Sequence, residues 1–133
     1  MSTVHANTPR DALHRLETMV LMAGYDLPVR AIRQQVSSAL DLIVHLDRLE
    51  DGSRRVSLIT EVQRMESDVI TLQDLFTFKL ESIAPDRTIT GSLQATGLRP
   101  MFLAKFEKHG IEVPLSIFGP PPSQLSEITR GAR

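Results

Sequence analysis

The pair Asp51-Gly52 stands between two runs rich in β-branched and aliphatic residues, Leu42 to Leu49 and Val56 to Val62. This juxtaposition fixes the middle of the chain. Glycine accepts the positive φ that a tight connection requires, so the two runs are predicted to pair antiparallel around Glu50-Asp51-Gly52-Ser53. A third run, Val69 to Phe78, follows the polar turn Met65-Glu66-Ser67-Asp68, and the three strands read most simply as a meander. A further strand is expected from about Thr88 to Ala95, after the break at Pro85-Asp86.

The first 40 residues carry a different period. Leu13, Leu16, Val20 and Ala23 recur at helical spacing, and Gly24 stands where a left-handed C-cap is expected. Thr8 can cap this helix with its hydroxyl, Pro9 suits the first helical position, and Asp11 completes an acidic variant of the capping box. A second helix presents Val29, Ile32, Val36 and Leu40 on one face, with Asp26 as its expected cap and Pro28 near its first turn. After the strands, Gly97 and Pro100 introduce a short helix from about Met101 to Lys108. Its inward residues are Phe102, Leu103 and Phe106, and Gly110 ends it. No internal repeat is visible. The chain divides into a folded unit over residues 1–113 and a Pro-rich tail over 114–133, which contains Gly119-Pro120-Pro121-Pro122 and is expected to be extended and flexible.

Composition narrows the function classes. A chain of 133 residues, 41% hydrophobic and 23% charged, can bury one core. Its formal net charge of -1 gives no electrostatic reason for nucleic acid or an acidic membrane surface as the main partner. Without cysteine there is no disulfide and no thiolate metal site. His5, His14, His45 and His109 fall in different elements without ligand-pair spacing, so no metal is expected. No segment approaches the roughly 20 apolar residues that span a bilayer, and no secretory leader is expected, so the chain reads as soluble and without direct membrane insertion.

The residues before the first helix are the best candidates for chemistry. Ser2 to His5 is a short strand-like run that delivers His5 and Asn7 to a strand-to-helix loop, the position where α/β proteins usually bind ligands. That run has no evident partner and reads as the last strand of a sheet whose other strands are absent. No Gly-rich phosphate loop, metal-ligand cluster or nucleophile motif accompanies it. Glu61 and Glu66 lack an associated nucleophile and are not read as a catalytic pair. Phe76, Phe78, Phe102 and Phe106 suit core packing, and Met19, Met22 and Met65 suit gap filling.

Several blocks together resemble one family. They are Ser2-Thr3-Val4-His5-Ala6-Asn7-Thr8, Arg15-Leu16-Glu17-Thr18-Met19 and Asp26-Leu27-Pro28-Val29-Arg30-Ala31-Ile32-Arg33. Further along come Asp51-Gly52-Ser53-Arg54-Arg55-Val56, Ile59-Thr60-Glu61-Val62, Asp68-Val69-Ile70-Thr71-Leu72-Gln73-Asp74-Leu75-Phe76 and Thr96-Gly97-Leu98-Arg99-Pro100. In this order they resemble the C-terminal part of the type II/type IV secretion ATPases, in the branch that assembles tight-adherence (Flp-type) pili. The resemblance runs from Ser2 to about Val113.

It implies an α/β fold, α+β when taken as an isolated unit. This is the C-terminal portion of a RecA-like P-loop NTPase domain, with two helices, an antiparallel meander and a terminal helix. Family members are hexameric motors at the cytoplasmic face of the inner membrane, so the implied partners are neighbouring motor subunits and inner-membrane platform proteins of secretion or pilus assembly. The implied cofactors are ATP and Mg2+ in the complete relative, with neither expected to bind tightly to this chain alone. His5 falls on the family's His-box histidine, which lies near the nucleotide, and Asn7 stands beside it. An imidazole that bonds differently before and after loss of the γ-phosphate can act as a switch. Asn7 is read chiefly as shaping the loop.

Arg10 and Arg15 are candidates for phosphate or subunit-interface contacts, against the plainer reading that they pair with Asp11 or Glu17. Arg30 and Arg33, one turn apart, are candidates for the same contacts, against a solvated helix face. The chain starts after the positions where the family keeps its phosphate-binding loop and acidic boxes, so it is expected not to hydrolyse ATP alone. Met1 is then an internal start, a disrupted gene or an artificial boundary. The alternative is a stand-alone, non-catalytic interaction protein that docks on full-length motor subunits and modulates them.

Overall fold

A computed structural model describes residues 1–121. Helix α1 spans Pro9–Met22 and α2 spans Val29–Ala39. Strands β1 (Leu42–Arg48), β2 (Arg54–Glu66), β3 (Val69–Ile83) and β4 (Ile89–Ala95) follow, then α3 (Leu103–Lys108) and a 3-10 turn at Leu115–Phe118. The four strands form one antiparallel sheet in the order β1-β2-β3-β4, the expected meander extended by its fourth strand. The molecule is therefore mixed α/β, with three helices and a four-stranded antiparallel sheet.

The first connection has the geometry that Asp51-Gly52 implies. Leu49 and Ser53 pair through N–H to C=O at 2.8 Å, the Gly52 N–H closes a turn on the Leu49 carbonyl at 2.9 Å, and Gly52 has φ 81°. The β3 to β4 connection repeats it with other residues. Ala84 N–H bonds the Thr88 carbonyl at 2.9 Å, Arg87 N–H bonds the Ala84 carbonyl at 2.8 Å, and Arg87 takes the left-handed position at φ 68°. Between β2 and β3 only Ser67 and Asp68 intervene, with Ser67 at φ 54°.

The helices cover one face of the sheet. Leu13 of α1, Val62 of β2 and Ile70 of β3 form the centre of the core, with Val36, Leu40, Ile43 and Leu72 packed around them. Alternation along β1 places Ile43 and His45 on this covered face and turns Leu42, Val44 and Leu46 to the other. Register shifts at four places, between His45 and Leu46, Ile59 and Thr60, Val62 and Met65, and Leu80 and Ser82, bend and twist the sheet. Leu75, the extra residue of one such bulge, is only 1% exposed.

Several sequence expectations need correction, among them Met19 and Met22, which are exposed rather than filling gaps, and Phe102 and Phe106, which are half-buried rather than core. Residues 2–5 form no strand, because all pairing in the sheet is among β1 to β4 and a run this short gains too little to pair by itself. Asp26 does not cap α2. Pro28 occupies the cap position with extended backbone (φ -57°, ψ 138°), so the helix starts beyond the reach expected of Asp26 and has no side-chain cap. Residues 114–121 are not simply extended: Leu115–Phe118 makes a 3-10 turn and buries Phe118, whose ring lies 6.0 Å from that of Phe76. The rest of the expected tail, from Pro122 onward, lies outside the described residues.

Candidate functional site

The start of α1 is built by reciprocal capping. Thr8 Oγ1 accepts from the Asp11 N–H at 3.0 Å, and Asp11 Oδ2 accepts from the Asn7 N–H at 3.3 Å. Pro9, at the first helical position, is buried and gives up no needed donor. These bonds hold the backbone at Asn7, so the loop is shaped through its main chain. His5 lies just upstream, exposed, as are Asn7 and Arg10. An exposed imidazole beside a rigid helix start is accessible to a ligand or to a neighbouring chain.

The arginines are placed differently. Arg10 reaches across from α1, its Nη2 donating to the Ile70 carbonyl of β3 at 3.0 Å. Arg33 of α2 grips Glu17 of α1 with both arms of its guanidinium, Nε to Oε2 at 2.7 Å and Nη2 to Oε1 at 3.2 Å. Its third nitrogen, Nη1, donates to the Asp68 carbonyl at 2.8 Å. The hydrogen bond and charge of Glu17 raise the Arg33 pKa above its ordinary value, against the opposing effect of desolvation. Arg30 lies 3.5 Å from the Asp68 carboxylate in a pair that is largely exposed on both sides. Arg15 is exposed on α1.

Arg10, Arg30 and Arg33 thus meet around the β2 to β3 hairpin, where they tie both helices to its tip. Between Arg10, Glu17 and Arg33 lies a cleft of about 420 Å³ with Leu13 and Ile32 in its wall. Forked pairing to a carboxylate is the strong mode of arginine bonding, and here it is spent within the chain.

Two groups that the sequence left aside are placed by the fold. Glu61 is 2% exposed, and its carboxylate accepts from the Phe102 N–H at 3.1 Å and from Gln63 Nε2 at 3.2 Å. His45 is also buried, with Nε2 3.3 Å from Asp47 Oδ1 in a contact that becomes an ion pair only with a protonated ring. The signal for His45 was present in the alternation of β1, which puts it on the face of Ile43. Gln63 is a local donor, but the backbone donor that covers Glu61 comes from a residue 41 positions away, which nothing in its neighbourhood marks.

Among the described residues, no group of three or more His, Cys, Asp or Glu could hold a metal ion. No described helix is long and apolar enough to cross a membrane. What fold and site define is an α+β unit with an exposed histidine loop at the start of its first helix and an arginine clamp on its central hairpin. No protein-family model matches the chain, and no curated protein matches it significantly.

Proposed function

We propose that the chain is the C-terminal portion of a RecA-like motor ATPase of the type II/type IV secretion class, in the branch that assembles tight-adherence pili. Supporting this reading is the resemblance of the ordered blocks from Ser2 to about Val113, whose implied succession of two helices, antiparallel meander and short helix matches the element order of the fold. The single observation that carries the site is the open His5 loop on a capped helix start. In this reading His5 senses a nucleotide held by other parts of the motor and passes the change to α1. The exposed Arg15 faces a neighbouring subunit of a hexameric ring at the cytoplasmic face of the inner membrane.

The residues described here do not form a cradle for ATP and Mg2+. They include no Gly-rich loop, Arg10 and Arg33 are engaged within the fold, and no acidic group is clustered for a cation. No catalytic step is assigned to them. The chain's part is sensing and subunit contact.

The test is capture of the endogenous protein with an antibody against this chain, followed by its intact mass and its ATP hydrolysis. A species much heavier than 14.8 kDa, whose hydrolysis falls on His5→Ala, is the expected result. A species at that mass without associated hydrolysis overturns the motor reading. The second reading, an interaction protein that modulates motor subunits, is favoured by the exposed Leu42, Val44 and Leu46 along edge strand β1. It predicts a 14.8 kDa species that co-purifies with a motor subunit.

A further inference from the structure

Residues 98–117 leave the sheet after β4 and return to it at Phe118, and the two ends of this excursion are pinned together. The Gly97 N–H donates to the Phe118 carbonyl at 2.9 Å. Arg99 Nη1 donates to the Gly119 carbonyl at 2.9 Å, and its guanidinium lies 6.0 Å from the Phe118 ring. Thr96 anchors the same point to β3, its N–H on the Leu75 carbonyl at 2.9 Å and its hydroxyl on the Asp74 carbonyl at 2.7 Å. Phe118 is 4% exposed. The root is therefore buried and cross-bonded.

The middle of the excursion is held quite differently. From Met101 to Ile117 no residue is buried, and α3 itself contributes none to the core. Phe102 and Phe106 pack edge to face at 5.7 Å, a contact within the excursion that moves with it. Among the described residues, two polar ties reach the body. One is the Phe102 N–H on Glu61 Oε1; the other is Lys105 on Asp41, an exposed ion pair worth little in water. The Glu61 tie is of another kind, because a buried carboxylate that loses its donor keeps the cost of its own desolvation. Gln63 Nε2, itself bonded to Gln73, holds the carboxylate in place for that donor.

We propose that residues 98–117 form a strap, hinged at the Gly97 to Phe118 clamp and latched by Glu61, that opens without unfolding the sheet. When latched it lines a cleft of about 680 Å³ through Met101, Phe102 and Lys105, together with Arg30 and Gln34 of α2 and with Glu61. Opening widens this cleft and exposes the carboxylate. The Phe102 N–H reports the latch directly, because neighbouring amides such as Lys105 bond within the strap, to the Phe102 carbonyl. This device does not depend on the motor assignment.

Residue-resolved hydrogen exchange on the full 133-residue chain tests it. In the wild type, amides 102–111 should exchange faster than those of Val62 and Leu72 in the paired strands. Glu61→Gln keeps the shape of the side chain and removes its charge. It should quicken exchange at Phe102 by about tenfold, the loss expected for one charge-assisted hydrogen bond, with the β2 and β3 amides unchanged. Lys105→Ala, an exposed change that leaves the core intact, should quicken the 102–108 amides by about twofold to fivefold. Exchange of the strap and the strands at one common rate would overturn the proposal. So would a Glu61→Gln protein in which Phe102 is unaffected or all amides quicken alike.

Discussion

Asp51 and Asp86 do the same work in two hairpin turns at one end of the sheet. Each accepts from the backbone N–H two residues on, Asp51 Oδ1 from Ser53 at 2.9 Å and Asp86 Oδ1 from Thr88 at 3.0 Å, and each precedes a residue in the left-handed region. Asp51 goes further, its Oδ1 taking the Ser53 hydroxyl at 2.6 Å and its Oδ2 the Ile89 N–H at 3.0 Å, which ties the first hairpin to the start of β4. The Ser53 hydroxyl first, then the Ile89 and Ser53 amides, lower its pKa from 3.8 to about 2. Because the folded value lies below the unfolded one, the ionised carboxylate adds stability above the ordinary aspartate range and that contribution is lost as pH falls through about 2. Denaturation followed from pH 6 to pH 2 should therefore show a shallower acid loss in Asp51→Asn than in the wild type; parallel curves would remove Asp51 from the account. At the matching turn, Arg87 bears a Cβ where Gly52 has none. Arg87→Gly should raise stability by ~0.5–1 kcal/mol in urea unfolding, since relief of left-handed strain exceeds the added entropy of the unfolded chain.

At the scale of elements, the two helices are joined to each other and to the sheet by arginine as well as by apolar surface. Of the predicted stripe on α1, only Leu13 is buried; Leu16 and Val20 are half covered and Ala23 is exposed, so the C-terminal half of the helix leans on the Glu17 to Arg33 fork. The pair is largely covered, with side-chain exposures of 17% for Glu17 and 27% for Arg33. Glu17→Ala and Arg33→Ala should each lower the melting temperature, and the double variant should fall less than the sum of the two, because both remove one interaction. Arg30→Ala should change stability by less than ~0.5 kcal/mol, as befits an exposed pair. Additive losses at Glu17 and Arg33, or a large loss at Arg30, would contradict this division. The sequence showed Arg30 and Arg33 as a stripe one turn apart, but helical spacing says nothing of a carboxylate sixteen residues upstream or a carbonyl on a hairpin. That separation is why one arginine is a clamp and its neighbour a surface residue.

At the scale of the whole molecule, α1 and α2 cover one face of the sheet, while the other is covered at Glu61 and Phe76 by Phe102 and Phe118 and left exposed along β1. Leu42, Val44 and Leu46 are 41%, 52% and 60% exposed along β1, which is an edge strand. Natural edges are usually blunted by charge, proline or a covering element, and among the described residues nothing covers this apolar stretch of β1. The chain should bind a dye specific for apolar surface while still melting cooperatively. Val44→Lys with Leu46→Lys should reduce that binding and slow aggregation with a stability change under ~1 kcal/mol, since neither side chain leaves the core. A cooperative melt lost in the double variant would show instead that this face supports the fold.

Local chemistry determined much of this protein by itself. Asp51-Gly52 between aliphatic runs set the first hairpin, Thr8 with Pro9 and Asp11 set the start of α1, and the succession of two helices and a meander could be read from spacing alone. These features are legible because each is decided by residues a few positions apart, through backbone conformation and alternation. The tertiary structure decided the rest: that Ser2 to His5 joins no sheet, that Phe118 folds back onto Phe76, that Arg33 is committed to Glu17, and that a glutamate in the middle of a strand holds the amide of Phe102. Those outcomes depend on which distant partner reaches a group first and what burial costs it to go without one. Neither quantity is written in the neighbours along the chain.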